Sequence, residues 1–149
     1  LKKEIVCHFV IGSDLPEYIF RITGKMGDNE IERVDILKDG SNQVLQAFNN
    51  FSTYNLDTRE FKLQDINFDG YSDVSMHVSY GTIGCSTYDY WIFNPSSKLF
   101  DKVDSLGGCN PTPNATTKTI SVDNYGPGSA KLIYQWKDGK LVLVGNPAE

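Results

Sequence analysis

Asp65-Ile66-Asn67-Phe68-Asp69-Gly70-Tyr71-Ser72-Asp73 decides how the rest of the chain is read. Oxygen-bearing side chains stand at positions 1, 3 and 5 of this stretch, glycine at 6 and a carboxylate at 9. A short loop wraps a hard cation such as Ca²⁺ with this spacing, because alternate side chains point inward and Gly70 permits the sharp turn. The expected ligand set is Asp65, Asn67, Asp69, the Tyr71 carbonyl and Asp73. An EF-hand would need a bidentate Glu at loop position 12, where Met76 stands. The flanks are also not helical. Phe61-Lys62-Leu63 reads as extended, and Val74, Met76 and Val78 alternate with Ser75, His77 and Ser79. The stretch is therefore expected to be a calcium loop between two β-strands, with the ion in a structural role.

Working outward, strand signals dominate. Expected strands are Lys3–Ile11, Tyr18–Gly24, Glu30–Leu37, Gln43–Phe48, Phe61–Asp65, Val74–Tyr80, Tyr88–Phe93, Leu99–Val103, Lys118–Tyr125, Lys131–Trp136 and Leu141–Val144. Turn residues separate them, and Asp138-Gly139 between two apolar runs is a strong hairpin signal. Cys109–Thr117 reads as an Asn/Pro/Thr-rich loop. The 149 residues fit one domain, with 40% hydrophobic content, eight Tyr and eight Phe. The expected fold is all-β over 1–149, with short antiparallel strands in a propeller-like array; a β-sandwich or barrel is the alternative.

The net charge of −5 argues against nucleic acid as a partner. No run of 18 apolar residues provides a transmembrane helix. Leu1-Lys2-Lys3-Glu4 reads as the start of a mature chain whose signal peptide has been removed. Cys85 and Cys109 sit in Gly-rich polar loops suited to a disulfide. Cys7, inside a strand pattern, reads as a buried free thiol. A disulfide together with a calcium loop favours the periplasm or a secreted location.

Catalytic constellations are missing from the sequence. There is no G-x-S-x-G, and no zinc spacing of the H-x-x-x-H or C-x-x-C type. Cys7 and His8 are adjacent and face opposite sides of a strand. The chain is expected to bind and not to catalyse. Ser79-Tyr80-Gly81-Thr82-Ile83-Gly84, continuing through Cys85 to Ser86, is the first candidate for a partner-binding loop; Tyr125-Gly126 is the second. The second candidate runs over Asn124-Tyr125-Gly126-Pro127-Gly128-Ser129. Tyr, Ser and Gly offer contact area with adaptable hydrogen bonding.

The order of phrases resembles a known family. The calcium phrase follows Leu63-Gln64. After it come the Gly-rich loop, then Tyr88-Asp89-Tyr90-Trp91-Ile92-Phe93-Asn94-Pro95, and finally the closing hairpin Tyr134-Gln135-Trp136-Lys137-Asp138-Gly139-Lys140-Leu141. Together these resemble small bacterial periplasmic β-propeller-like proteins. That family includes inhibitors of i-type lysozyme and immunity proteins against secreted lysozyme-like effectors. The resemblance implies an inhibitor whose exposed loop, here 79–86 with Tyr125 and Gly126, plugs the sugar cleft of a muramidase. The alternative is a calcium-dependent glycan-binding or adhesion module. Stacking on exposed Tyr and Trp would suit it, although Trp91 and Trp136 sit in strand patterns and read as core.

Overall fold

The computed structural model describes residues 2–25, 31–38, 41–48, 61–80, 84–103, 106–124, 126 and 128–145. The chain is all-β, with no helix among the described residues. Twelve strands run in order: β1 Lys2–Phe9, β2 Tyr18–Lys25, β3 Ile31–Leu37, β4 Val44–Phe48, β5 Phe61–Gln64, β6 Asp73–Tyr80, β7 Ser86–Asn94, β8 Leu99–Val103, β9 Cys109–Asn114, β10 Thr119–Asp123, β11 Lys131–Lys137 and β12 Lys140–Gly145. They form three four-stranded antiparallel meanders, β1–β4, β5–β8 and β9–β12, each joined through neighbouring strands. Among the described residues, no strand closes the array into a barrel.

The middle sheet is apolar on both faces, which follows from the period-2 rule for strands. On β6 and β7, Val74, Met76, Trp91 and Phe93 face the first sheet. There they meet Phe20, Ile22, Val34 and Ile36 in one buried cluster. Tyr90, Tyr88 and Ile92 face the other way, toward Ile120, Val122, Leu132, Tyr134 and Trp136. The first core is rich in rings. Phe20, Phe93 and Phe100 are almost fully buried, and edge-on pairs such as Phe20–Phe100 at 5.8 Å lock their orientation. At the seam between the first two sheets, the Gln46 side-chain amide imitates a strand: its Nε2 donates to the Phe100 carbonyl at 2.7 Å and its Oε1 accepts from the Phe100 amide at 2.8 Å.

The turns follow from local chemistry. Asp138 and Gly139 have φ of 51° and 76°, so both central residues of the β11–β12 hairpin lie in the left-handed region expected of a type I′ turn. The β7–β8 and β9–β10 turns are alike. Asn94 Oδ1 accepts from the amides of Ser96 and Ser97, and Asn114 Oδ1 accepts from those of Thr116 and Thr117. Each ends in a lysine with positive φ, Lys98 and Lys118. The shared phrase is Asn, two intervening hydroxyl residues and Lys, a repeat the sequence reading passed over.

β9 is the one strand not expected. Its two prolines, Pro111 and Pro113, read as loop residues. Within the ladder, however, β9 pairs only with β10 and so lies on a sheet edge, where a missing N–H is tolerated. The pairing skips between Ser121 and Asp123, a bulge that leaves Asn110 with φ 52° and frees its side chain. Cys7 is a free thiol, as expected, but is only partly buried against the first core. Burial pushes its pKa up.

Candidate functional site

Loop 65–73 joins β5 to β6 and touches all three sheets. The Ser72 amide donates to the Ile11 carbonyl at 2.8 Å, and the Tyr71 hydroxyl to Asp14 Oδ2 at 2.9 Å, both in the β1–β2 connection. Gly12 makes room for this contact, since a Cβ there would stand 2.6 Å from the Tyr71 ring. The Phe93 amide of β7 donates to Asp73 Oδ1 at 2.8 Å. Trp136 Nε1 of β11 donates to the Ile66 carbonyl, also at 2.8 Å. Gly70, with φ 91°, carries the loop through its sharpest bend.

The expected ligands turn inward on this loop. Asp65 accepts from the amides of Asp69 and Gly70 through its two oxygens. Asp69 accepts from the Tyr71 amide and from Asn67 Nδ2. Asp73 is fully buried and accepts from the amides of Ile66 and Phe93. Burial pushes the Asp73 carboxyl up to about 7; the two amides oppose the shift, and the charges of Asp69 and Asp65 add to it. Among the described residues, no three Asp, Glu, His or Cys side chains group as a metal site by themselves. A cation here would depend on the Asn67 amide oxygen and the Tyr71 carbonyl as well as the carboxylates. Two features fit that demand. Asn67 Oδ1 is buried and has no hydrogen-bond partner, although a buried carbonyl normally finds one. Each carboxylate oxygen that accepts one amide still has a second lone pair. The donor set of Asp65, Asn67, Asp69, Tyr71 and Asp73 is all oxygen, as Ca²⁺ prefers.

The expected partner-binding loop is fastened at its C-terminal limb. Cys85 and Cys109 form a disulfide with Cα atoms 5.3 Å apart, tying this limb to β9. Beside it, Asn110 Nδ2 donates to the Gly84 carbonyl at 2.7 Å, and Asn110 Oδ1 accepts from the Ser86 amide at 3.0 Å. Asn110 Nδ2 also donates to Asp123 Oδ2 at 3.0 Å, and Asp123 is held by Lys131 Nζ. The pKa of Asp123 is lowered, first by Lys131 and then by Asn110. Ser79 and Tyr80 continue β6, pairing with Thr87 and Ser86. Gly81, Thr82, Ile83 and Tyr125 lie outside the described residues. Gly126 accepts at its carbonyl from Ser129 Oγ at 2.7 Å and donates its amide to the same oxygen. Asn110, Asp123 and Lys131 were missed in sequence; a polar residue beside a half-cystine is the one signal that could have marked Asn110.

The histidines stand far from these loops in role. His8 Nδ1 lies 2.6 Å from Glu17 Oε1 on the exposed side of β1, and His77 is buried with its ring edge-on to Tyr88 at 5.2 Å. No helix among the described residues is long and apolar enough to cross a membrane. No protein-family model matches the chain, and no curated protein or solved structure matches it.

Proposed function

We propose that the protein is a periplasmic or secreted inhibitor, not an enzyme, and that loop 79–86 enters the substrate cleft of a lysozyme-like peptidoglycan hydrolase. The observation that carries this reading is the double fastening of the C-terminal limb of the loop, by the Cys85–Cys109 bridge and by the hydrogen bonds that Asn110 donates to the Gly84 carbonyl and accepts from the Ser86 amide. A limb held in place before binding loses less entropy on binding, and ordering an interface side chain costs about 0.5–1.5 kcal/mol each. Gly126 lies in a second turn that would contact the same partner together with Tyr125. A Ca²⁺ ion held by Asp65, Asn67, Asp69, Tyr71 and Asp73 would supply positive charge to the loop on which the three sheets converge. The intramolecular disulfide is compatible with a compartment outside the cytoplasm.

Peptidoglycan hydrolysis by i-type, c-type and g-type lysozymes and by a secreted effector muramidase, each with and without stoichiometric protein in Ca²⁺, tests this reading. Selective inhibition of one class is expected. Thr82→Arg or Ile83→Glu should weaken that inhibition without lowering the melting temperature. Full inhibition by both variants would exclude the loop.

A further inference from the structure

A groove of about 550 Å³ opens between the middle and third sheets, on the side of the molecule defined by the β7–β8 and β11–β12 hairpins. Its volume lies within the range of roughly 300–1,000 Å³ typical of small-molecule sites. Tyr134 and Trp136 of β11 line one wall. Both are only partly buried, although their neighbours Ile120 and Val122 are sealed in the core. The Trp136 ring is fixed in place, because its Nε1 is committed to the Ile66 carbonyl. What remains for a ligand is the apolar body of the indole, beside the Tyr134 ring.

The rim is polar and carries both signs of charge. Asp69, Asp101 and Lys140 are exposed and line the groove, and Asn94 donates to Asp101 Oδ2 at 3.2 Å. The Lys102 ammonium is turned away, 3.7 Å from Asp89 and over the Trp91 ring on the opposite face of the middle sheet. A phosphate or a polyanion would find little net attraction here. A ligand matching two aromatic rings and a rim of carboxylate, amide and ammonium is apolar on one face and bears donors and acceptors around its edge. A pyranose ring has that form: its C–H face stacks on an aromatic ring while its hydroxyls reach the polar groups around it.

We infer that the groove between Tyr134, Trp136 and Asp101 binds a neutral saccharide. This site shares Asn67 and Asp69 with loop 65–73 but is separate from loop 79–86, so it stands or falls independently of inhibition. The chain contains two tryptophans, which makes a local test direct. Trp91 is buried in the first core, on the opposite face of the middle sheet, and Trp136 lines the groove. The full chain is titrated with neutral tetrasaccharides of glucose, N-acetylglucosamine, galactose and mannose, following both indole N–H resonances. At least one of the four is expected to shift the Trp136 resonance saturably and leave that of Trp91 in place. Asp101→Ala should weaken that binding about tenfold, the scale of losing a hydrogen bond to a charged group, with the melting temperature unchanged. The inference is overturned if no sugar moves Trp136 at about 10 mM, beyond the weak end of ordinary affinities. It is equally overturned by saturable binding that leaves Trp136 unmoved, or by unchanged affinity in the Asp101 variant.

Discussion

Asp73 and Asp123 are both buried carboxylates at the end of a strand segment, yet their surroundings push them in opposite directions. Asp123 is held by Lys131 and Asn110, and its pKa falls. Asp35 repeats the pattern on the first sheet. Burial raises its pKa, but hydrogen bonds from Arg33 and Arg21, with the charges of both, bring the net shift below the ordinary value. Asp73 is given two backbone amides and, among the described residues, no cationic side chain, so desolvation dominates and its pKa rises to about 7. Burying a carboxylate is tolerable where positive charge accompanies it, and two of these three regions supply that charge from their own side chains. The third has the spacing of a cation loop. The proposed Ca²⁺ would bring that charge from solution.

The largest expected effect breaks this comparison at Asp73. Its folded pKa, about 7, lies above the ordinary 3.8, so the folded state holds the proton more tightly. Without a divalent cation, the Asp73 contribution to stability should be fully present below about pH 4 and lost as pH rises through 7. The total loss is on the order of 4 kcal/mol. Calcium should flatten that decline, and Asp69→Ala should abolish the calcium effect. Melting temperatures on a grid of pH and calcium check this; a metal-free curve already flat from pH 4 to 7 would remove the argument for a cation.

Next in size is the covalent tie. Cys85→Ser with Cys109→Ser opens a loop between cysteines 24 residues apart. It should cost about 3 kcal/mol in the chain-entropy model. Chemical denaturation of the variant against the oxidised parent measures the difference. If loop 79–86 acts as proposed, the variant's inhibition should weaken by more than its residual folded fraction explains.

Asn110→Ala separates the hydrogen-bonded clamp from the disulfide. The Gly84 carbonyl and the Ser86 amide lose their partner, at a cost of about 1–3 kcal/mol. Amide exchange at Ser86 should speed up while exchange in the first sheet stays unchanged. Uniform exchange across both regions would show that Asn110 supports the fold as a whole.

The smallest effect is expected at Lys131→Gln. Asp123's lowered pKa contributes stability above the ordinary carboxylate range, and that contribution is lost as pH falls through the lowered value. With the ammonium removed, stability at neutral pH should fall slightly and its dependence on acid should flatten, while stability at the acid end changes little. An unchanged difference between neutral and acid stability would mean that Asn110 alone sets the Asp123 environment.

Much of the fold was legible because β-strands announce themselves by alternation and turns by Asn, Asp and Gly. Phe20-Arg21-Ile22 and Val74-Ser75-Met76 alternate visibly, and Asp138-Gly139 specifies its turn through φ values few other residues adopt. The Cys85–Cys109 pairing was readable from its loop context. β9 was hidden because its prolines suit a strand only at a sheet edge, and edge position is a property of the assembled sheets. Trp136 was expected in the core for a related reason. Its alternation marks a buried-side residue, but whether a second sheet covers that position fully depends on how the two sheets splay.

By itself, then, the sequence determined the all-β class, nearly all the strands, the acidic loop with its inward oxygens, and the disulfide. These depend on interactions within a few residues or on the chemistry of two cysteines. Only the tertiary structure decided that the middle sheet is covered on both faces, and that loop 65–73 ties the three sheets together. It also decided that Asn110 reaches across to Gly84 and Ser86, and that Tyr134 and Trp136 border an open groove. Those features join residues distant in the chain, and their geometry is set by how whole sheets pack, which no local pattern encodes.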